Sequence, residues 1–170
     1  VAFLLLSPAP WPLARSSAAI PAFCETLAAD PEPGAVLDLP MALPNLERAI
    51  YHYWQTAHRR PSPYSLNEPN PLVLDRSRLA RTLGIAEAGR LDRLPPLLAE
   101  FDLVVSGRNL ADLGFRYVVL HARFYLPERL ASSLTILRVA LGDELEITAE
   151  GDHVWRLERP VGHGLAQVAP

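Results

Sequence analysis

The sequence contains no lysine, one cysteine and no glycine-rich phosphate-binding motif. Because Cys24 stands alone, an intrachain disulfide and a metal site built from several cysteines are both excluded. All sixteen basic residues are arginine, they are scattered, and the net charge is −3, so no nucleic-acid partner is expected. Neither GxGxxG nor a P-loop is present, so these two nucleotide-binding signatures are also missing.

Long apolar runs are missing as well. No stretch reaches the ~18–20 apolar residues of a membrane-spanning helix. The apolar residues 1–6 stop at Ser7-Pro8, and they fit either a first strand or the end of a preceding membrane segment. No charged region or initiator Met precedes them, so we predict no signal peptide and interpret the chain as an excised piece of a longer protein.

The composition is that of a globular domain. Of 170 residues, 49% are hydrophobic and 21% are charged, which suffices for one domain with a substantial core. We predict a single α/β domain over residues 1–160. Residues 161–170 are rich in Gly, Pro and Ala, and we predict a loose C-terminal tail there.

Two apolar stretches predict the centre of a sheet. Residues 34–40 and 115–121 are apolar on both faces, which is typical of strands covered by helices on each side. Pro127 opens a helix that Gly142 closes, and Glu150-Gly151-Asp152 separates two strand-like segments. The expected fold is therefore α/β, with a mostly parallel sheet, helices on both faces and a C-terminal β-hairpin.

The remaining helices are predicted from apolar spacing and from capping residues. Residues 45–58 repeat apolar side chains at helical intervals. A second helix is predicted from Asp75 to Leu83, ended by Gly84, and a third over residues 91–100. The pair Val104-Val105 predicts a short edge strand.

A candidate groove is predicted at one edge of the sheet. Asp38 and His121 each close an apolar strand, and parallel neighbouring strands would bring both side chains to the same edge, where α/β proteins bind ligands. Tyr51 and His58 on the following helix, with Tyr64 in the loop after it, are expected to border the same groove. Two interpretations stay open: a groove for a sugar, a lipid head group or a neighbouring domain, or a structural role in which the helix presents an aromatic rim and a few hydrogen bonds tie the loop to the sheet.

No complete catalytic set or metal site is predicted. His52 and His58 are six residues apart, whereas chelating histidines on a helix are four apart. The acidic residues between Asp143 and Asp152 are expected to form a solvated hairpin face. We therefore assign no catalytic residue, no metal ligand and no cofactor.

Several motifs together resemble a known family. They resemble the C-terminal soluble region of bacterial multi-pass membrane proteins similar to C-type glycosyltransferases, which use polyprenyl-phosphate sugars. The resemblance spans about residues 17–160. The matching residues are Asp30, Pro31, Pro33, Val36 to Pro40, Tyr51, Tyr53, Gln55, Thr56, His58, Pro61, Tyr64, Leu113, Gly114 and Arg116 to His121. The loop after His58 departs from the family, because glycines usually precede its tyrosine and none does here.

The resemblance implies an extracytoplasmic domain attached to a membrane body, on the outer side of a bacterial membrane. In such enzymes the catalytic acidic residue lies in a loop between early membrane helices, which this chain does not contain, so this chain alone would be an inactive accessory domain for acceptor binding or packing. The implied partners are the membrane-embedded portion of the same polypeptide and a glycan or polyprenyl-linked sugar. Two alternatives stay open: a stand-alone hydrolase or transferase using Asp38, His58 and His121, and a structural interaction module.

Overall fold

A computed structural model describes residues 19–65, 72–90 and 100–158 of the chain. The predicted strand or membrane stub at residues 1–6 and the predicted tail at 161–170 lie outside these residues, as does nearly all of the helix predicted at 91–100. The helices in chain order are α1 Phe23–Ala29, α2 Asn45–His58, α3 Leu72–Asp75, α4 Arg78–Glu87, α5 Glu100–Asp112 and α6 Pro127–Leu141, with a 3-10 turn at Ala122–Phe124. The strands are β1 Ala35–Leu39, β2 Phe115–His121, β3 Glu146–Ile147 and β4 Asp152–Arg156.

The strands form one four-stranded sheet in the order β1-β2-β4-β3. β1 and β2 are parallel, whereas β4 pairs antiparallel with both β2 and β3. The α/β class is therefore confirmed, but the expectation of a mostly parallel sheet is wrong, because one of the three strand pairs in the described sheet is parallel. The C-terminal segment inserts beside β2 instead of extending the parallel arrangement, so the sheet is mixed.

β1 and β2 form the centre of the hydrophobic core. Val36, Leu37, Val118 and Val119 are fully buried, and Leu37 lies directly opposite Val118 in the parallel register. This confirms that both apolar stretches are buried strands lying side by side. Apolar side chains on both faces of these strands remove a large area from water, which is the main favourable contribution to folding.

Helices cover both faces of the sheet. His121 and Val119 point to one face, where rings from α1 and α2 contact His121. Trp155 lies opposite Val118 on the other face, and its indole N–H donates to the carbonyl of Gly142 just after α6. Because α4, α5 and α6 pack against one another, they form the second helical layer.

The second layer differs from the sequence prediction in two places. Ser77, not Asp75, caps α4, and its hydroxyl accepts a hydrogen bond from the backbone N–H of Ala80. Gly84 lies within α4 and does not end it. Val104 and Val105 lie within α5, so the short edge strand predicted there is wrong, and the helical context overrides the β-propensity of two valines.

The loop after α2 covers the outer edge of β1. Val36 donates its backbone N–H to the carbonyl of Pro61 at 2.8 Å, and the hydroxyl of Tyr64 donates to the carbonyl of Asp38. An edge strand with free backbone groups is a template for pairing with other chains. These two bonds engage that edge from within the domain, and they also hold Tyr64 next to the end of β1.

Candidate functional site

The carboxyl ends of the two parallel strands bring Asp38 and His121 together. His121 Nε2 lies 3.2 Å from Asp38 Oδ1, within hydrogen-bonding distance. The register explains the contact, since Asp38 lies opposite Val119 and both strands run in the same direction. Adjacent parallel strands therefore place these two side chains at the same edge of the sheet.

A third residue, Asp152, completes this cluster. The antiparallel pairing of β4 with β2 sets Asp152 opposite His121, and its Oδ1 lies 3.1 Å from His121 Nδ1. The solvated face predicted from the sequence for Asp152 is wrong, because Asp152 is fully buried. The available signal was the turn at Gly151, which starts a strand at Asp152, but the position of that strand beside β2 depends on tertiary packing.

The cluster of Asp38, His121 and Asp152, here called the Asp–His–Asp cluster, lies in the interior. All three side chains are at most 1% exposed. The second carboxylate oxygens, Asp38 Oδ2 and Asp152 Oδ2, have no hydrogen-bond partner among the described residues. Buried polar atoms without partners are uncommon in native proteins, because burying them costs free energy. The cluster therefore lowers the stability of the fold unless other interactions compensate.

Aromatic side chains enclose the His121 ring. Its centroid lies 4.7 Å from the Trp54 ring, 5.3 Å from Tyr51 and 5.4 Å from Phe23. Phe124, on the 3-10 turn that follows β2, completes the enclosure at 6.0 Å. These rings exclude water from the imidazole, which strengthens its electrostatic interactions with the two carboxylates.

Burial and hydrogen bonding act in opposite directions on the pKa of His121. Burial alone lowers that pKa because it disfavours the charged imidazolium. The hydrogen bonds to Asp152 and Asp38, together with the negative charges of both carboxylates, outweigh burial and raise the pKa above its ordinary value of 6.5. The environment therefore favours the charged imidazolium.

The two tyrosines of the predicted groove lie beside this cluster. The hydroxyl of Tyr51 donates to the carbonyl of Pro40 at 3.1 Å, and the Tyr51 and Tyr64 rings are 5.6 Å apart. Burial, reinforced by neighbouring negative charge, raises the pKa of both hydroxyls well above 10. Both tyrosines are therefore neutral hydrogen-bond donors, Tyr51 to the carbonyl of Pro40 and Tyr64 to the carbonyl of Asp38.

His58 lies apart from the other four groove residues. Its Nδ1 accepts a hydrogen bond from the backbone N–H of Arg60 at 3.1 Å, and burial lowers its pKa, although the charge of Asp38 acts in the opposite direction. His58 lines a shallow cleft of about 320 Å³ near Gly34, at the start of β1. It therefore interacts with Asp38 through charge and makes no ring contact with the cluster among the described residues.

The five predicted groove residues are buried in this structure. The exposed fraction reaches at most 5% among Asp38, Tyr51, His58, Tyr64 and His121. A cleft of about 780 Å³ exists elsewhere, between α5, the end of α6 and β4, and none of the five residues lines it. Four of the five therefore share one interior region, and their use in binding stays a prediction.

The thiol of Cys24, on α1, is close enough to the Asp–His–Asp cluster to interact with its charges. Burial, followed by the charges of Asp38 and Asp152, raises its pKa to about 12. A thiolate is the reactive form of cysteine, and a thiol with so high a pKa stays protonated at neutral pH. Cys24 therefore packs in the core as a small apolar residue, with 1% of its surface exposed.

A second network, around Asp30, anchors the turn before β1. The hydroxyl of Tyr117 donates to Asp30 Oδ2 at 2.5 Å, the backbone N–H of Glu32 donates to Oδ1, and Arg116 Nε–H donates at 3.2 Å. The bonds from Tyr117 and Glu32 lower the pKa of Asp30 to about 2; burial opposes them and Arg116 reinforces them. The network links β2 to the loop between α1 and β1.

We expect Asp30→Asn to remove an acid-sensitive contribution to stability. Because the folded-state pKa is lowered, this contribution is present above pH 3.8 and is lost as the pH falls towards 2. The variant should lose about 1.5–3 kcal/mol at pH 7, the range for hydrogen bonds to charged groups. Urea unfolding between pH 2 and 7 measures this loss, and the two proteins should converge at low pH.

The matched control for that prediction is Glu32→Gln. Glu32 also pairs with Arg116, at 2.9 Å, but its side chain is 59% exposed. Exposed ion pairs contribute little, so this variant should unfold almost as the parent does. Equal losses in both variants would contradict the larger contribution expected from the Asp30 carboxylate, whose side chain is 11% exposed.

Metal sites and membrane-spanning helices are two further features that bear on function. Within residues 19–65, 72–90 and 100–158, no three His, Cys, Asp or Glu side chains are arranged to hold a metal ion. In the same part of the chain, no helix combines the length and apolar character needed to cross a bilayer.

Comparisons with protein families, with curated proteins and with solved structures returned no match to this chain. The resemblance to membrane glycosyltransferases therefore depends on the motif residues alone.

Proposed function

We propose that this chain is an accessory, non-catalytic domain of a membrane glycosyltransferase-like protein, acting on the extracytoplasmic side. In this proposal the domain packs against the membrane-embedded portion of the same polypeptide or contributes to binding a glycan or polyprenyl-linked sugar acceptor. The observation that carries the proposal is the burial of the motif residues. Asp38, Tyr51, Tyr64 and His121 are at most 5% exposed; Asp38 contacts His121, and both tyrosine hydroxyls donate to backbone carbonyls.

Burial of these residues favours a scaffolding role over catalysis. A general acid or base has to reach the proton that it transfers in the bound substrate. Aromatic rings enclose His121, and the tyrosine hydroxyls are engaged by the carbonyls of Asp38 and Pro40. The residues that carry the resemblance thus fix the relative positions of β1, β2, α2 and its loop.

The alternative function, a stand-alone hydrolase or transferase, is favoured by one observation. A histidine between two carboxylates, at 3.1 and 3.2 Å, is an arrangement that can support a general base. A nucleophile beside it is required for covalent catalysis. The thiol of Cys24, with its pKa raised to about 12, does not supply one.

An activity assay distinguishes the two functions. We expect the isolated chain to show no turnover with polyprenyl-phosphate sugars or with activated glycosides. Turnover that disappears in Asp38→Asn and persists in Asp143→Asn would establish the enzyme instead. Asp143 is a suitable control because it is exposed and lies outside the cluster.

The accessory role has its own positive test. The reading frame that encodes this chain is expected to encode several membrane spans, and the separately expressed membrane portion should co-purify with the domain. Failure of this association in detergent and in nanodiscs, together with a reading frame without membrane spans, would contradict the proposal. Binding of a soluble glycan without a membrane partner would shift the role from packing to acceptor binding.

A further inference from the structure

We propose that His121 carries both ring protons in the folded domain at neutral pH. In this state an imidazolium lies between two carboxylates and ties β1, β2 and β4 together. We propose further that loss of one ring proton loosens α1 and α2 from the sheet before the other helices. The Asp–His–Asp cluster would then be an alkaline-sensitive switch built into the fold.

The geometry of the cluster supports the doubly protonated ring. Both ring nitrogens face a carboxylate oxygen, Nδ1 at 3.1 Å and Nε2 at 3.2 Å. A neutral imidazole carries one N–H, so its other nitrogen would turn a lone pair towards an ionised oxygen. The imidazolium has two donors and satisfies both contacts. The competing arrangement is a neutral ring with one protonated carboxyl group.

The charge balance of the cluster leads to the same state. Two buried carboxylates without a cation would carry a large desolvation cost, because each also has an oxygen without a partner among the described residues. An imidazolium reduces the net charge of the cluster from −2 to −1. Loss of its proton restores the repulsion between Asp38 and Asp152 in a site from which aromatic rings exclude water.

The helices that would respond are those whose side chains contact the His121 ring. Phe23 of α1 and Tyr51 and Trp54 of α2 contact it directly, and α1 packs on α2. The helices α4, α5 and α6 belong to the layer on the opposite face of the sheet and pack against one another. A rearrangement of His121 therefore disturbs the α1–α2 layer first.

Several titratable and charged groups lie around His121. They are Asp38 from β1, Asp152 from β4, Cys24 from α1, Tyr51 and His58 from α2, Tyr64 from the loop after α2, and Arg123 from the 3-10 turn, whose guanidinium lies 4.8 Å from the Trp54 ring. The thiol and both phenols have raised pKa values and stay neutral near pH 7. Burial lowers the pKa of His58, which favours its neutral form.

The direction of the pH dependence follows from linkage. The folded-state pKa of His121 is raised above 6.5, since its bonds to Asp152 and Asp38 outweigh burial. Its contribution to stability is therefore fully present below pH 6.5 and is lost as the pH rises through the folded-state pKa. Between these limits the folding constant should fall by roughly tenfold per pH unit.

NMR of the ring nitrogens of the full chain tests the protonation state. At pH 7.5 both nitrogens of His121 should show the shifts and attached protons of an imidazolium. His153 is the internal reference, because its ring faces one carboxylate, Glu144, through Nδ1 at 3.1 Å. A His121 nitrogen without a proton at pH 7.5 would overturn the proposal and establish a neutral ring.

Hydrogen exchange across pH 6–10 tests the switch. After correction for the intrinsic exchange rate, protection of amides in α1 and α2 should fall by roughly tenfold per pH unit and disappear first, whereas amides in α5 and α6 should still be protected at the pH at which α1 and α2 exchange freely. His153→Gln should preserve this difference and His121→Gln should abolish it. If His121→Gln does not fold, Asp152→Asn replaces it and should shift the loss to lower pH. Uniform loss across all helices, or an unchanged profile in the variants, would overturn the switch.

Discussion

Val118→Asp is expected to leave the chain unfolded. Val118 is fully buried at the centre of the sheet, where it lies between Leu37 on one neighbouring strand and Trp155 on the other. A carboxylate there has no partner, and an uncompensated buried charge costs about 3–5 kcal/mol. The total stability of a domain is only about 5–15 kcal/mol, and the lost packing of the valine adds to the cost.

Circular dichroism and thermal melting measure the outcome of this substitution. Val105→Asp is the matched control, because Val105 lies on α5 and is 46% exposed. The control should melt cooperatively near the parental temperature. If Val118→Asp were also soluble and melted cooperatively, the assignment of Phe115–His121 to the buried centre of the sheet would be wrong.

Opposite effects are expected from two glycine-to-alanine substitutions in helices. At Gly107 of α5, an added Cβ would lie 2.4 Å from the carbonyl oxygen of Ala140 and 2.8 Å from a methyl group of Leu141, so α5 and α6 would have to separate. At Gly84 of α4, the nearest atom is the terminal methyl of Met41 at 3.7 Å, an ordinary contact.

In both variants the higher helix propensity of alanine favours the folded state by about 1 kcal/mol relative to glycine. Gly84→Ala should therefore raise the melting temperature by about 2–4 °C. Gly107→Ala should lower the free energy of unfolding by about 1–3 kcal/mol, as overpacking does in well-packed interiors. Urea unfolding of both variants measures these changes, and stabilisation by Gly107→Ala would contradict the close contact between α5 and α6.

The sequence predicts the parallel pair of strands because its signals are local. Residues 35–39 and 115–121 are mostly apolar runs, and glycines at positions 34 and 114 precede them. The secondary structure of Val104-Val105 is harder to predict, because a short apolar run does not distinguish a strand from a buried helix segment. These two valines are helical because the surrounding residues form α5, and α5 packs against α6. A local sequence pattern does not encode that packing.

The candidate site shows the same division between local and tertiary information. Asp38 and His121 could be paired from sequence, since the ends of neighbouring parallel strands meet at one edge. Asp152 could not, because its contact with His121 depends on where β4 docks, and an acidic residue in a turn usually faces water. Burial of the whole cluster depends on the placement of α1 and α2 over it, which requires the tertiary fold.

The loop that covers β1 makes the two edges of the sheet unequal to an approaching chain. On the β1 side, Pro61 and Tyr64 already bond to the backbone groups of Val36 and Asp38. On the β3 side, Leu145 and Ile147 are 46% and 57% exposed. Two copies that meet through β3 would bury those side chains and present only covered edges outward. Association through the sheet would therefore be self-limiting and end at a dimer instead of growing into a fibre.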